Sequence, residues 1–343
     1  MAGRERYVGR RRGSLLCSSE FGSKWTNIPQ IYALLPYKIK FLPHQNGGKH
    51  LYFMEKIHLI RDWEIRKNLW RDAGVQWNFV PTMGALHEGH ASLIQMAAEM
   101  NGHVVVSIFV NPTQFNDPAD FENYPASFEL DCELAAEAGA DVILAPSAHE
   151  IYRGHVHAEP VDFGVLTSTF EAAHRPGHFD GVVAIVDRLF QVVEPRRAVF
   201  GEKDLQQVAV VKAMANLRHP EVEVVMAPLI RDTDGLALSS RNVRLSGQAR
   251  QTALALSQSL TRDQESFKAG IRLVAALEDA RRWLRVQEGL NLAYLDVVHT
   301  DSFESQPDPA HHPCHVICAA EVEGVRLIDN IVLSKRPEPA IVP

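Results

Sequence analysis

Val75-Gln76-Trp77-Asn78-Phe79-Val80-Pro81-Thr82-Met83-Gly84-Ala85-Leu86-His87-Glu88-Gly89-His90 is the stretch that decides the fold. Val75 to Val80 reads as a short strand ending at Pro81, and a helix candidate covers 89 to 100. A strand that runs through a glycine-bearing loop into a helix is the opening of a parallel α/β unit. Gly84 and Gly89 permit close backbone approach to a ligand, and the helix N-terminus offers unpaired N–H groups and a positive dipole end to a phosphate. His87 and His90 stand three apart on one face of the first turn. There two imidazoles can donate to phosphate oxygens or neutralise charge developing on a leaving group. Zinc and a purely structural pair are the competing readings; the metalloprotease pattern spaces its histidines four apart, with Glu after the first.

Outward from this stretch the same alternation continues. Residues 56 to 72 read as a helix with Ile57, Ile60, Trp63, Ile65 and Trp70 as apolar positions. The run Val104 to Val110 suits a strand buried on both faces of a parallel sheet. Further strands are expected at Val142 to Ala145, Ala198 to Phe200 and Val222 to Met226, with helices around 128 to 138, 181 to 193 and 204 to 217. The fold class is therefore α/β, a doubly wound, Rossmann-like parallel sheet whose ligand sits beyond the carboxyl ends of the strands. A helical stretch from 247 to 287 then leads to strand candidates Ala293 to His299, His315 to Ala320 and Val325 to Leu327. The last two are joined by the hairpin-like Glu321-Val322-Glu323-Gly324. This second unit suits a smaller α+β lid, so the domains read as 54 to 232 and 233 to 343. His311, His312, Cys314, His315 and Cys318 invite a zinc reading, against which Cys314, Val316 and Cys318 alternate as strand residues on one face.

Composition narrows the function classes. The chain has 343 residues, 46% of them hydrophobic, with a net charge of −7. That balance argues against a general attraction to nucleic acid. Four cysteines are too few and scattered for a disulfide scaffold, which favours a reducing, cytoplasmic setting. No apolar run is long enough to span a membrane. Residues 1 to 53 differ from the rest, with nine Lys or Arg against two acids. They read as a disordered N-terminal extension ahead of a natural start at Met54, with an organelle transit peptide as the alternative.

Three further loops carry polar chemistry. Phe109-Val110-Asn111-Pro112-Thr113-Gln114-Phe115 leaves the second strand, and Asn111 and Gln114 offer directional donors and acceptors to hydroxyl groups, although an ordinary turn looks the same. Phe200-Gly201-Glu202-Lys203-Asp204-Leu205-Gln206-Gln207 repeats the strand-glycine-helix arrangement. Lys203 supplies a point charge for a phosphate or carboxylate, Asp204 can hold it or help position a metal, and Gln207 follows one turn on. Arg231 to Asn242 brings Ser239, Ser240 and Arg241 together as donors that can wrap phosphate oxygens; a Ser-capped helix start is the alternative.

Together these loops resemble the pantothenate synthetase family over roughly residues 54 to 334. PTMGALHEGH, SIFVNPTQF, RPGHFDGV, FGEKDLQQ and DGLALSSRN occur in the family's order and spacing. The resemblance implies ATP-dependent condensation of pantoate with β-alanine through a pantoyl adenylate, releasing AMP and pyrophosphate, with magnesium accompanying the triphosphate and no protein ligand named for it. It implies ATP contacts at Met83, Gly84, Ala85, Leu86, His87, Glu88, Gly89, His90, Gly201, Glu202, Lys203, Asp204, Ile230, Leu238, Ser239, Ser240 and Arg241. His87, Lys203, Ser239, Ser240 and Arg241 are its catalytic set with His90, which resembles the proton donor of the first step. Gln114, Gln207 and Asn111 would hold pantoate, Arg175 and His178 would stand in the wall, and the protein would be a homodimer. Two departures stand out: Ala126-Ser127 where the family has Arg then Thr, and Leu205 where an aromatic is usual. A related transferase that moves AMP onto a phosphorylated acceptor, and a non-catalytic nucleotide-binding module, are the other readings; the first would call for more basic residues around the acceptor.

Overall fold

A computed structural model of the chain describes residues 54–114, 121, 127–152, 157–305, 308–309 and 311–333, and the backbone of 40–43 and 49–52. Those two backbone segments, β1 (Lys40–Pro43) and β2 (Lys49–Tyr52), pair antiparallel. The rest of the basic N-terminal segment lies outside the described residues.

From residue 55 the order is β3 (Glu55–Ile57), α1 (Ile60–Asp72), β4 (Trp77–Thr82), α2 (Glu88–Glu99), β5 (His103–Ile108), α3 (Phe128–Ala138), β6 (Val142–Leu144) and α4 (Ala148–Tyr152). It continues with α5 (Glu171–His174), α6 (His178–Val193), β7 (Arg197–Gly201), α7 (Leu205–Arg218) and β8 (Glu223–Ala227). These strands form a six-stranded sheet in the order β3-β6-β5-β4-β7-β8, every pairing parallel. Successive side chains enter opposite helical layers. Phe79, Val105 and Ala198 pack with α1, α6 and α7. Their neighbours Val80, Val104, Val106 and Val199 pack with α2 and α3. The apolar run after His103 is thus buried on both faces, as its composition predicts.

The expected helix over 56 to 72 is corrected at its start: Glu55–Ile57 is an edge strand on β6, and the helix begins at Ile60. A three-residue strand is too short to show a period, and the helix start carries no local signal. Leu59 has no capping side chain, and the Ile60 N–H donates instead to Glu150 Oε2 at 2.9 Å, from α4.

The second unit holds α8 (Gly247–Lys268), α9 (Leu273–Arg285), β9 (Leu290–His299), β10 (Cys314–Val322) and β11 (Val325–Leu333). The single helical stretch expected from 247 to 287 is broken near Gly270, whose φ of 83° is the left-handed conformation that ends a helix. The strands form an antiparallel sheet in the order β11-β10-β9. Glu323 and Gly324 both have positive φ, so the hairpin closes in a two-residue turn that matches the strands' twist. One face of this sheet, with Cys314, Val316 and Cys318, packs on α8 and α9. From the other face Val298 and Ile317 join the core of the first sheet.

Candidate functional site

Strand order reverses at β4, which has β5 on one side and β7 on the other. A crevice opens beyond the carboxyl ends of strands at such a reversal. The three loops after β4, β5 and β7, with residues 228–230 and 238–241, enclose a cavity of about 210 Å³. Its wall brings together Met83, His87, Gly89, His90, Asn111, Gln114, Gly201, Lys203, Asp204, Gln207, Ile230, Leu238, Ser239, Ser240 and Arg241, along with Arg175 and His178. Gly84, Ala85, Leu86, Glu88 and Glu202 do not line it.

The loop after β4 uses its own polar groups differently from the sequence expectation. Its N–H groups are mostly paired. Gly84 N–H donates to Thr82 Oγ1 (3.2 Å), and Ala85 and Leu86 N–H donate to the Asp131 carboxylate (3.0 and 2.8 Å). Gly89 N–H donates to His87 Nδ1 (3.1 Å), and His87 N–H donates to His90 Nδ1 (3.3 Å). The expected cradle of free backbone donors is therefore corrected to a largely self-capped turn. Gly89 serves that capping too. A Cβ on it would stand 2.9 Å from His87 Cε1, so the glycine makes room for the imidazole.

This capping fixes the chemistry of both histidines. Each Nδ1 accepts from a backbone N–H, so it carries a lone pair and the ring proton sits on Nε2. Charge agrees with geometry. Burial, then the neighbouring Lys203, lowers His87 to about 4, and burial, then His87, lowers His90 to about 3. The two rings lie 4.2 Å apart. Both are neutral donors near pH 7.

On the opposite wall, Asn111 is 1% exposed and its amide is fully committed. It donates to Gln114 Oε1 (3.1 Å) and Gly181 O (3.0 Å), and its oxygen accepts from Thr113 and the Tyr152 hydroxyl. Asn111 also orients Gln114, whose Nε2 reaches Met83 Sδ at 3.0 Å. A Cβ at Gly181 would stand 2.4 Å from Thr113 O, so that glycine lets α6 press against this turn. His178 Nδ1 donates to Gln114 O (2.9 Å), and its Nε2 accepts from Arg175 Nη1 (3.1 Å). Burial and then the adjacent guanidinium lower His178 to about 4.

Lys203 donates to Asp204 Oδ1 at 3.4 Å. Desolvation works against the Asp204 charge, but Lys203 and then Arg241 hold it below the ordinary carboxylate range. Ser239 Oγ accepts from Arg241 N–H (3.3 Å), so the Ser cap and the presentation of the Arg241 side chain are one structure.

The C-terminal sheet grips the loop after β7. Asn330 Nδ2 donates to the backbone oxygens of Glu202 (2.8 Å) and Lys203 (3.2 Å). Glu202 faces away from the cavity, accepting from Leu229 N–H and pairing with His315 Nε2 (2.9 Å). His315 thus points out of the face that carries Cys314 and Cys318. Arg231 binds Asp329 through both nitrogens (2.7 and 2.9 Å). Asp131, Asn330, the Arg326–Glu171 pair and the pairing of His315 with Glu202 leave no signal in the sequence, because each acts on a segment far away in the chain.

Fold and cavity together define an α/β enzyme with a polar, partly cationic ligand cleft at the switch point of its sheet. The pantoate-beta-alanine ligase family model matches residues 53–332, and the chain belongs to that family. It is 42% identical over 257 residues to the pantothenate synthetase of Cytophaga hutchinsonii, covering 74% of this chain and 90% of that protein. The crystal structure of pantothenate synthetase from Thermus thermophilus superposes with a TM-score of 0.75 at 38% identity, over 82% of this chain and all of that one. Pantoate-beta-alanine ligase from Francisella tularensis, crystallised with beta-gamma ATP and beta-alanine, gives a TM-score of 0.68 at 31% identity, over 82% and 98% of the chains.

Proposed function

We infer that the cleft at the β4–β7 switch point is where this ligase works, and that it works in two steps. The chain is an ATP-dependent ligase that condenses pantoate with β-alanine. In the first step a pantoate carboxylate oxygen bonds to the α-phosphorus of ATP and the bond to the β-phosphate breaks, giving pantoyl adenylate and pyrophosphate. In the second, the β-alanine amine attacks the acyl carbon, AMP leaves, and the amine proton goes to solvent or to AMP. Neither step needs a protein nucleophile; positioning and charge neutralisation suffice.

The observation that carries this reading is the make-up of the cavity wall. Lys203, Ser239, Ser240, Arg241 and the Nε2–H groups of His87 and His90 supply donors for the triphosphate; Gln114 and Gln207 supply neutral amides for a hydroxylated acid. Ile230 and Leu238 then face the adenine side. His90 contributes a hydrogen bond to the departing phosphate rather than a delivered proton, because its Nδ1 is held as an acceptor and its ring is neutral. The substrate is the magnesium complex of ATP. The ion would be carried mostly on phosphate oxygens and water, as magnesium prefers. The homodimer, the cytoplasmic location, and the division into a nucleotide- and pantoate-binding domain (54–232) and a lid (233–343) belong to the same reading. Among the described residues no helix is long and apolar enough to cross a membrane.

The test is the substrate dependence of each product. Pyrophosphate release should require ATP, magnesium and pantoate, and AMP release should require β-alanine as well. ATP consumption without pantoate, or none at all, would overturn the reading. Gln207→Ala removes a direct hydrogen bond to the acid, and should raise KM for pantoate about ten- to hundredfold with KM for ATP little changed. Equal rises in both KM values would place Gln207 elsewhere.

A further inference from the structure

We propose that Asp131 is a positioning residue for adenylation: its carboxylate sets the backbone of the loop after β4 so that His87 and His90 meet the triphosphate. This rests on the functional reading above and names a residue that lies outside the cavity wall. Asp131 sits in the first turn of α3, is only 2% exposed and does not line the cavity. Both of its oxygens are used. Oδ2 accepts from Ala85 N–H at 3.0 Å, and Oδ1 accepts from Leu86 N–H at 2.8 Å and from Ser127 Oγ at 3.2 Å.

The loop needs this support because its backbone is strained. Ala85 has a φ of 51°, a conformation that side-chain-bearing residues avoid, and it follows Gly84 at 86°. A strained turn persists only where its surroundings over-determine it. Here the determinants are two charge-assisted hydrogen bonds to the middle of the turn and Thr82 Oγ1 at its start, itself donating to Ser107 O at 2.6 Å. A Cβ at Gly84 would stand 3.0 Å from Asp131 Oδ2, so glycine is what lets the carboxylate come so close. His87 follows Leu86 directly. A shift of this turn therefore moves the mutually capped His87–His90 pair as a unit. Ser127 belongs to one of the two departures from the family's sequence, and its hydroxyl lends Asp131 a third donor.

The experiment measures pantoate-dependent pyrophosphate release in the full-length enzyme for Asp131→Asn, Gly84→Ala and the double variant, with melting temperatures alongside. Asn keeps the shape but turns one acceptor into an N–H donor that faces a backbone N–H. We expect Asp131→Asn to raise KM for ATP and to lower adenylation kcat/KM for ATP by about 10- to 100-fold, leaving KM for pantoate within about threefold. Gly84→Ala should cost a similar factor alone and clearly less on top of Asp131→Asn, since it acts by displacing the side chain at 131 from the Ala85 and Leu86 N–H groups and Asn has already given up one of those bonds; strain at φ 86° is common to both arms and cancels. The proposal is overturned if Asp131→Asn matches the wild type, if kcat alone falls in step with the folded fraction while both KM values stay put, or if the two substitutions multiply independently. A wild type that makes no adenylate at all would instead overturn the functional reading.

Discussion

His90→Ala is expected to lower pantoate-dependent pyrophosphate release by about 10²- to 10³-fold, the cost of removing one preorganised donor from a site where charge develops. Tautomer and charge together set this cost. His90 Nδ1 is occupied by the His87 N–H, so the ring meets the cleft with a single Nε2–H. Burial, then the neighbouring His87, lowers its pKa to about 3, and His87 itself is lowered to about 4, first by burial and then by Lys203. Both imidazoles of the free enzyme thus stay neutral from pH 5 to 8 and gain a proton only in acid. Imidazole nitrogen NMR of the ATP-free enzyme should show Nε2-protonated, non-titrating rings for both residues across that range. A ring of His90 that titrates near 6.5, or a His90→Ala enzyme within tenfold of wild type, would sink the assignment. His90→Ala also exposes the His87 N–H it caps, so part of the loss is read as higher KM for ATP; a purely electrostatic role predicts that kcat falls more.

How much of this was legible in the sequence depended on whether the cause was local. The parallel sheet was readable because Phe79 and Val80, or Val105 and Val106, serve two helical layers at once, which forces a continuous apolar run. The cleft was readable because Gly84, Gly89 and Gly201 stand between strand and helix, where backbone must turn sharply. The start of α1 was not, since its cap is Glu150, some ninety positions away, and β3 exists only because β6 offers it a partner. Asp131 escaped for the same reason: in sequence it is one acid among Glu129, Glu133 and Glu137 on a helix, and only the fold buries it against Ala85 and Leu86. The loop's free N–H groups were expected from a rule about helix ends that took no account of side chains from elsewhere. Asn111 lines the cavity, and the partners that hold its amide, the Tyr152 hydroxyl and Gly181 O, come from distant segments that the sequence does not connect to it.

A large effect on stability is expected in the C-terminal unit. Asp263, on α8, is 2% exposed, and its Oδ2 has no hydrogen-bond partner among the described residues; neither has the hydroxyl of Ser259, one turn earlier on the same helix. Burial pushes its carboxyl up from 3.8 to about 7, with the Arg281 cation opposing the shift only in part. A raised acid means that the folded protein holds a proton the unfolded chain has lost. Stability contributed by this group is therefore full below pH 4, falls as pH rises towards 7, and is flat above it. A shift of this size corresponds to about 4 kcal/mol. Asp263→Asn removes the titration and keeps the shape, so the variant should unfold at higher denaturant than wild type at pH 8, by up to about 4 kcal/mol, with the two curves converging near pH 4. Subtracting the two cancels every other titrating group. A difference that stays constant from pH 4 to 8, or a wild type that is the more stable at pH 8, would mean that Asp263 is ionised in the fold and that Arg281 meets its charge in full.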